Sequence, residues 1–185
     1  EAADASGGAA LRMAYTAIRS GMVDVALVVG VEKATDVLDS DIDSLSVRTL
    51  DSDYEAAEGL TPIGQAALLM QRYIYENQVE REALAAFPML AHANALNNPH
   101  AMYRKPLALE TYLKAGMLAE PFNLYDIAPL ADGAAAVLLA RRELVSQHLN
   151  HPLVRIAGSS LVTDRFALHD RNDPLFFEAA AVSVQ

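Results

Sequence analysis

The run Ala5-Ser-Gly-Gly-Ala-Ala10 constrains this chain more than any other stretch. Small residues throughout let the backbone turn sharply and start a helix against other closely packed backbone. Leu11, Ala14, Tyr15 and Ile18 then recur at helical spacing, and Ser20-Gly21 stops the helix. Val25 to Val29 follows as a short, wholly apolar run, the pattern of a strand covered on both faces. A tight turn feeding a buried helix presents one side chain at the helix N-terminus, where the N–H groups and the macrodipole favour negative charge. That side chain is Asp4. Its residue type suits an N-cap accepting hydrogen bonds from the N–H groups that follow.

With 185 residues, 52% of them hydrophobic and 21% charged, the chain has core material for one large domain or one and a half. The net charge of −10 argues against general nucleic-acid affinity, and an anionic ligand would need a local basic pocket. Without cysteine there are no disulfides and no thiolate metal sites. No apolar run reaches the length of a membrane span and no basic-apolar leader is present, so a cytoplasmic or organelle-matrix location is expected. A chain that opens on its elbow without an initiator Met reads as an internal segment.

Thr35 to Glu58 is acidic and irregular, which reads as a solvated loop. Asp39-Ser-Asp-Ile-Asp43 lacks the glycine and terminal Glu of a calcium loop. Thr61-Pro62 starts a helix that carries Ala66, Leu69, Met70, Tyr73 and Ile74 as its apolar stripe to Asn77. Glu80 to Leu96 predicts a second helix, kinked or split by Pro88. His92 and His100 share no metal-ligand spacing and read as solvated or capping histidines. Arg104 and Lys105 suit contact with a phosphate or ordinary surface charge. Asp132-Gly133 is a turn opening the apolar strand Ala134–Ala140, with Asp132 a turn former and not a catalytic acid. Arg141 to Leu149 reads as a polar helix, Pro152 to Thr163 as a strand, and Asp173-Pro174 as the start of a final helix. Val25–Val29, Ala134–Ala140 and Leu153–Leu161 are then expected to neighbour one another in one sheet, with the Gly8–Arg19 helix buried against it.

Three segments together resemble the thiolase superfamily, in particular its sterol-carrier-protein type and the archaeal acetyl-CoA acetyltransferases. Glu1-Ala-Ala-Asp4-Ala-Ser-Gly-Gly-Ala-Ala-Leu-Arg12, Ala17-Ile-Arg-Ser-Gly21 and Val29-Gly-Val-Glu-Lys-Ala-Thr-Asp36 are similar to the family's nucleophile segment. The helices and the loop through Ala95 to Leu107 look like its helical loop domain. Pro121-Phe-Asn-Leu-Tyr-Asp126 and Asp132-Gly133-Ala-Ala-Ala-Val-Leu-Leu-Ala140 are like its return to the core sheet. The resemblance implies an α/β fold, the αβαβα sandwich, of which this chain holds a partial first half with an inserted helical loop domain. Residues 1–35 would be the nucleophile elbow, 36–117 the substrate-covering loop region, and 118–185 the return to the core and the start of the second half.

The resemblance also implies a chemistry. In the family a cysteine at the position of Asp4 takes the acyl group from coenzyme A, with Claisen condensation or thiolysis as the outcome. A thiolate at a helix N-terminus attacks the thioester, backbone N–H groups stabilise the oxyanion, and a second cysteine moves a proton. A carboxylate held as an anion there is a weak nucleophile, and its acyl adduct would be a labile mixed anhydride. Counted back from Tyr73, Ile63 and Gly64 fall beside the acyl-binding tunnel, with helix-start packing as the plain alternative for Ile63. Arg104 and Lys105 would contact the substrate's phosphates. The implied ligand is an acyl-CoA, taken as substrate, with no further cofactor and no metal. The implied assembly is a homo-oligomer or a subunit of a thiolase complex. Two functions stand side by side: an acyl-CoA C-acyltransferase disabled at Asp4, and a non-catalytic acyl-CoA-binding or scaffolding subunit.

Overall fold

A computed structural model describes residues 2–36, 45–145 and 152–184. Its regular elements are α1 (Ser6–Arg19), β1 (Val25–Glu32), α2 (Pro62–Asn77), α3 (Arg81–Leu84), α4 (Ala86–Ala95), α5 (Leu109–Leu113), β2 (Met117–Ala119), β3 (Phe122–Asn123), β4 (Gly133–Ala140) and α6 (Glu178–Ser183). They form two units. One comprises Glu1–Lys33, Asp132–Asp164 and Phe177–Gln185, and the other Ala34–Ala131 and Arg165–Phe176.

In the first unit β1 and β4 pair antiparallel, from Val25 opposite Ala140 to Glu32 opposite Gly133. The Asp24 carbonyl accepts the Arg141 N–H at 3.1 Å, and an Arg141–Asp24 ion pair, also 3.1 Å, closes that end. One face of the ladder, Ala26, Val28 and Leu139, is buried or half-buried, and α1 packs against β1. The other face carries Val25, Leu27, Val29, Val31 and Leu138, all exposed, with Val31 75% accessible.

Two expectations fail here. Leu153–Leu161 forms no strand among the described residues. It is tied down by other means: Arg12 donates to the Ser159 carbonyl, and the Ser160 hydroxyl donates to the Ser183 carbonyl at 2.7 Å. Val154 is 91% accessible, so the apolar run has no sheet to enter. Nor is α1 buried. Its stripe of Leu11, Ala14, Tyr15 and Ile18 is only half-covered, because a two-stranded ladder offers too narrow a face to enclose a helix.

An exposed apolar face of this kind is unusual on a soluble monomer. The 185-residue chain by itself is expected to bind a hydrophobic dye and to sediment above monomer mass, with Leu27→Lys and Leu138→Lys reducing both. A compact monomer at high concentration that leaves the dye dark would count against this.

The second unit is built on helices. Thr61 caps α2, its hydroxyl accepting the Gly64 N–H at 3.1 Å, and Pro62 takes the first turn as its missing N–H predicts. Gln78, left-handed at φ 51°, ends α2. The predicted Glu80–Leu96 helix is split into α3 and α4 at Ala85. Pro88 is the cause: it offers no N–H to the Leu84 carbonyl, and its ring crowds that oxygen. Ala85, Leu107 and Tyr112 form the buried core, with Met89 and Tyr125 packed on it. No helix among the described residues is long and apolar enough to cross a membrane.

Other differences are local. The acidic segment is not simply a solvated loop. Turns of helix occupy Ala34–Asp36, Val47–Thr49 and Ser52–Ala56, and two of its carboxylates, Asp51 and Glu55, bind backbone N–H groups. Asp39 to Asp43 lies outside the described residues. In place of the Arg141–Leu149 helix there is a short turn at Arg142–Leu144, and residues 146–149 lie outside the described residues. The final helix begins at Glu178. Asp173 caps only a turn, accepting the Leu175 N–H at 2.9 Å, because Phe177 leaves helical geometry before α6 starts.

Candidate functional site

The elbow begins with Ala3, a non-glycine residue at φ 45°. A left-handed alanine costs on the order of 1 kcal/mol and persists only when its surroundings hold it. Ser6 does the holding. Its hydroxyl accepts the Ala2 N–H at 2.9 Å and donates to the Ala3 carbonyl at 2.7 Å, bracing both sides of the bend. Ala3–Ala5 forms one tight turn, closed by the Ala5 N–H on the Ala2 carbonyl at 2.9 Å, and α1 starts at Ser6.

Asp4 therefore lies inside the turn, one residue ahead of where a cap would sit. The N-cap of α1 is Ala5, with no side-chain cap bond, so the expected capping role for Asp4 is not what the chain uses. The Ser6 hydroxyl has taken over the local backbone bonding, and the Asp4 carboxylate is exposed. The small residues after it also differ from expectation. A Cβ at Gly7 or Gly8 would meet nothing within 4 Å, so no neighbouring backbone among the described residues presses on this end of α1.

In the second unit, Ile63 and Gly64 occupy the first turn of α2. A Cβ at Gly64 would approach Leu60 Cδ1 to 3.2 Å and Thr61 Oγ1 to 3.4 Å, which gives that glycine a packing reason. One turn on, Gln65 donates to Glu55, a carboxylate only 5% exposed. Glu55 also accepts the Asp51 N–H at 3.0 Å and the Leu168 N–H at 2.8 Å. His169 Nδ1 stands 3.7 Å away. Glu55 thus fastens the start of α2 and the Arg165–Phe176 segment to one buried carboxylate. The sequence suggested neither role.

A second construction centres on Tyr112, which is fully buried. Its hydroxyl donates to Asp126 Oδ1 at 2.9 Å, and the Arg81 guanidinium lies 5.4 Å above its ring. Asn123, also fully buried, donates to the Tyr112 carbonyl at 3.1 Å and forms a reciprocal capping box with Asp126. Burial first, and then the Asp126 carboxylate, push the Tyr112 phenol up to about 12.

Beside this core lies a cavity of about 540 Å³ whose lining includes His92, Tyr103, Arg104, Lys105, Leu107 and Tyr125. His92 is half-buried, contrary to the solvated or capping reading. It is nearly parallel to Tyr103 at 6.1 Å between ring centres and edge-on to Tyr125 at 5.8 Å. Its Nδ1 meets the Lys105 carbonyl at 3.1 Å, which fixes the loop carrying both cations. The signal for His92 was its helical spacing from Ala85 and Met89, which put it on the stripe facing the core. The structure thus brings Arg104 and Lys105 together at one cavity, whereas Ile63 and Gly64 are not in its lining and Asp4 belongs to the first unit.

Residues 1–143 match the family described as thiolase, N-terminal domain. The acetyl-CoA acetyltransferase of Methanothermobacter thermautotrophicus is 38% identical over 174 residues, covering 94% of this chain and 44% of the relative. That of Methanocaldococcus jannaschii is 38% identical, covering 99% and 46%. The benzoylsuccinyl-CoA thiolase subunit BbsB of Thauera aromatica is 31% identical, covering 86% and 40%. A solved structure described as an Ltp2-ChsH2(DUF35) aldolase superposes with a TM-score of 0.78 at 24% identity, covering 95% of this chain and 47% of that one. The chain spans about half the length of the curated relatives it matches.

Proposed function

This chain belongs to the thiolase family, and we propose that it is the acyl-accepting part of an acyl-CoA C-acyltransferase whose nucleophile position, Asp4, no longer forms the thioester. The elbow carries the reading. A braced left-handed bend, an exposed side chain just before a helix and open space at Gly7 and Gly8 suit presentation of one reactive group to a substrate carbonyl. The acetyltransferase relatives support a coenzyme A thioester as the ligand. In this reading Ile63 and Gly64 line the path of the acyl chain, and Arg104 and Lys105 take the substrate's phosphates. A carboxylate at position 4 is a poor acyl acceptor, because a carboxylate is a weak nucleophile and its acyl product is a labile mixed anhydride. The test is acetoacetyl-CoA thiolysis by a protein that carries this chain at the full length of its relatives, with Asp4 in place. Turnover near background with acyl-CoA still bound is expected, and robust turnover would sink the proposal.

A second reading has its own support. The chain has no cysteine at all, and one relative is named as a thiolase subunit. A non-catalytic subunit that binds acyl-CoA or scaffolds a catalytic partner would use the exposed β1–β4 face for association. Failure to recover any turnover after restoring the cysteine would favour it.

A further inference from the structure

We propose that His169 is a proton-operated clasp on the Arg165–Phe176 segment, holding it more tightly to Glu55 as pH falls from about 8 to about 5.5. The segment has little regular structure of its own. It contains one short helical turn, Leu168–Asp170. Arg165 donates to the Asp170 carbonyl and the Phe176 N–H to the Asp173 carbonyl at 3.2 Å, bonds that stay within the segment. It is tied to the rest of its unit by the Leu168 N–H on Glu55 Oε1 at 2.8 Å and by the buried Ala167. A stretch held by so few bonds is the kind that opens locally.

The setting of the imidazole supplies the control. His169 Nδ1 faces Glu55 Oε1 and His169 Nε2 faces Asp170 Oδ1, each at 3.7 Å. A neutral imidazole carries one N–H and can serve only one of these carboxylates, whereas the protonated ring carries two and serves both. Asp170 belongs to the segment and orients the ring. Glu55 belongs to the Ser52–Ala56 turn, so the protonated ring joins segment to turn. Glu55 is only 5% exposed, which protects this contact from screening, while the His169 side chain stays open enough to exchange protons. The Tyr54 ring, 5.1 Å from the imidazole, adds attraction for a cation.

The other charged groups nearby bound the effect. Asp51 gives Glu55 its N–H, but its own carboxylate is taken up by the Asp53 and Tyr54 N–H groups. Arg171, lining the same cavity as His169, is a fixed positive charge that opposes the imidazolium. Among the described residues His169 is the one ion-pair partner of Glu55. What the clasp controls is a cavity of about 610 Å³. Leu168, His169, Arg171 and Pro174 of the segment line it together with Tyr54, Glu55 and Leu60, so release of the segment opens it.

The test is amide hydrogen exchange in a protein that carries this chain at the full length of its relatives. It is read by mass spectrometry at about pH 5.5, 6.5 and 7.5, with rates divided by the intrinsic rate at each pH. Protection over Arg165–Phe176 is expected to rise about fivefold from the highest to the lowest pH, while Ala86–Ala95 stays level. His169→Gln, at a side chain 42% exposed, should keep the fold and abolish the rise. Asp170→Asn should shrink it by weakening the pull on Nε2. Magnetic resonance should show the His169 ring and the Leu168 amide titrating with one midpoint. Protection that is flat or falls on acidification overturns the proposal. So does a rise that survives His169→Gln, an equal rise over Ala86–Ala95, or two separate midpoints.

Discussion

Asp4→Cys, in a protein that carries this chain at the full length of its relatives, is expected to raise acetoacetyl-CoA thiolysis from background by several powers of ten. Loss of a covalent nucleophile in other enzymes costs about 10⁴ to 10⁶ in turnover, and restoring one recovers a comparable factor when the surroundings are intact. The local backbone at position 4 does not depend on the side chain it carries. The bend at Ala3 and its brace by Ser6 do not involve the Asp4 side chain, so a thiol of similar size fits the same exposed place. The helix that follows supplies the positive end that lowers a thiol's pKa and raises its thiolate fraction. Thioester exchange then keeps the acyl group activated, which a carboxylate cannot do. Acylation of the Cys variant should appear by mass spectrometry as a stable adduct at position 4. An adduct without turnover would separate a competent elbow from a missing second base. No adduct, with acyl-CoA still bound, would shift the assignment to the non-catalytic subunit.

Tyr112→Ala is expected to cost about 3 to 5 kcal/mol, the range for emptying a buried aromatic site. The ring is fully buried, carries the Arg81 guanidinium on one face, and its hydroxyl is held by Asp126. Tyr112→Phe removes only the hydroxyl and should cost about 1 to 2 kcal/mol, because Asp126 loses one donor and keeps the Asn123 N–H. The pH dependence separates these effects. The phenol is pushed up to about 12 in the folded chain, first by burial and then by Asp126. The unfolded chain has it near 10. Between those values the folded state holds a proton that the unfolded state has released, so stability falls as pH rises. The contribution is full below about pH 10 and gone above about pH 12, on the order of 3 kcal/mol. Urea unfolding of the native chain should weaken across that window, and Tyr112→Phe should remove this part of the slope. Parallel curves for the two proteins would refute it.

Local signals placed the start of α2 and the break at Pro88, but not the start of α6 or the Arg141–Leu149 segment. Thr61-Pro62 and Pro88 act through bonds and clashes with residues three or four away, so their effects are written within one turn of chain. The β1–β4 pairing was legible because both runs are apolar and bounded by turn residues. The expected third strand failed because apolar content alone does not supply a ladder partner, and Leu153–Leu161 is held by Arg12 and Ser160 instead. Asp4 was found as the presented residue but not as an uncapped one, since the competing hydroxyl of Ser6 decides that only in three dimensions. Glu55 escaped for the same reason, since Leu168 lies 113 residues away, a distance over which spacing rules say nothing. The burial of His92 was written in its helical spacing from Ala85 and Met89, whereas its bond to Lys105, 13 residues on, was not.

The pairing of Glu32 with Gly133 has a consequence for how this chain is born. Roughly 100 residues must leave the ribosome between the two partners, a delay of about 5 to 20 s at ordinary elongation rates. Throughout that interval Val25, Leu27, Val29 and Val31 form an apolar strand whose mate does not yet exist, while the Ala34–Ala131 segment between them can already gather around Tyr112. The nascent chain therefore passes through a stage with an insert that still lacks its Arg165–Phe176 segment and a waiting β-edge. A chaperone holding residues 25–32 would act on that stage, and a slow codon stretch placed after residue 140 would lengthen it.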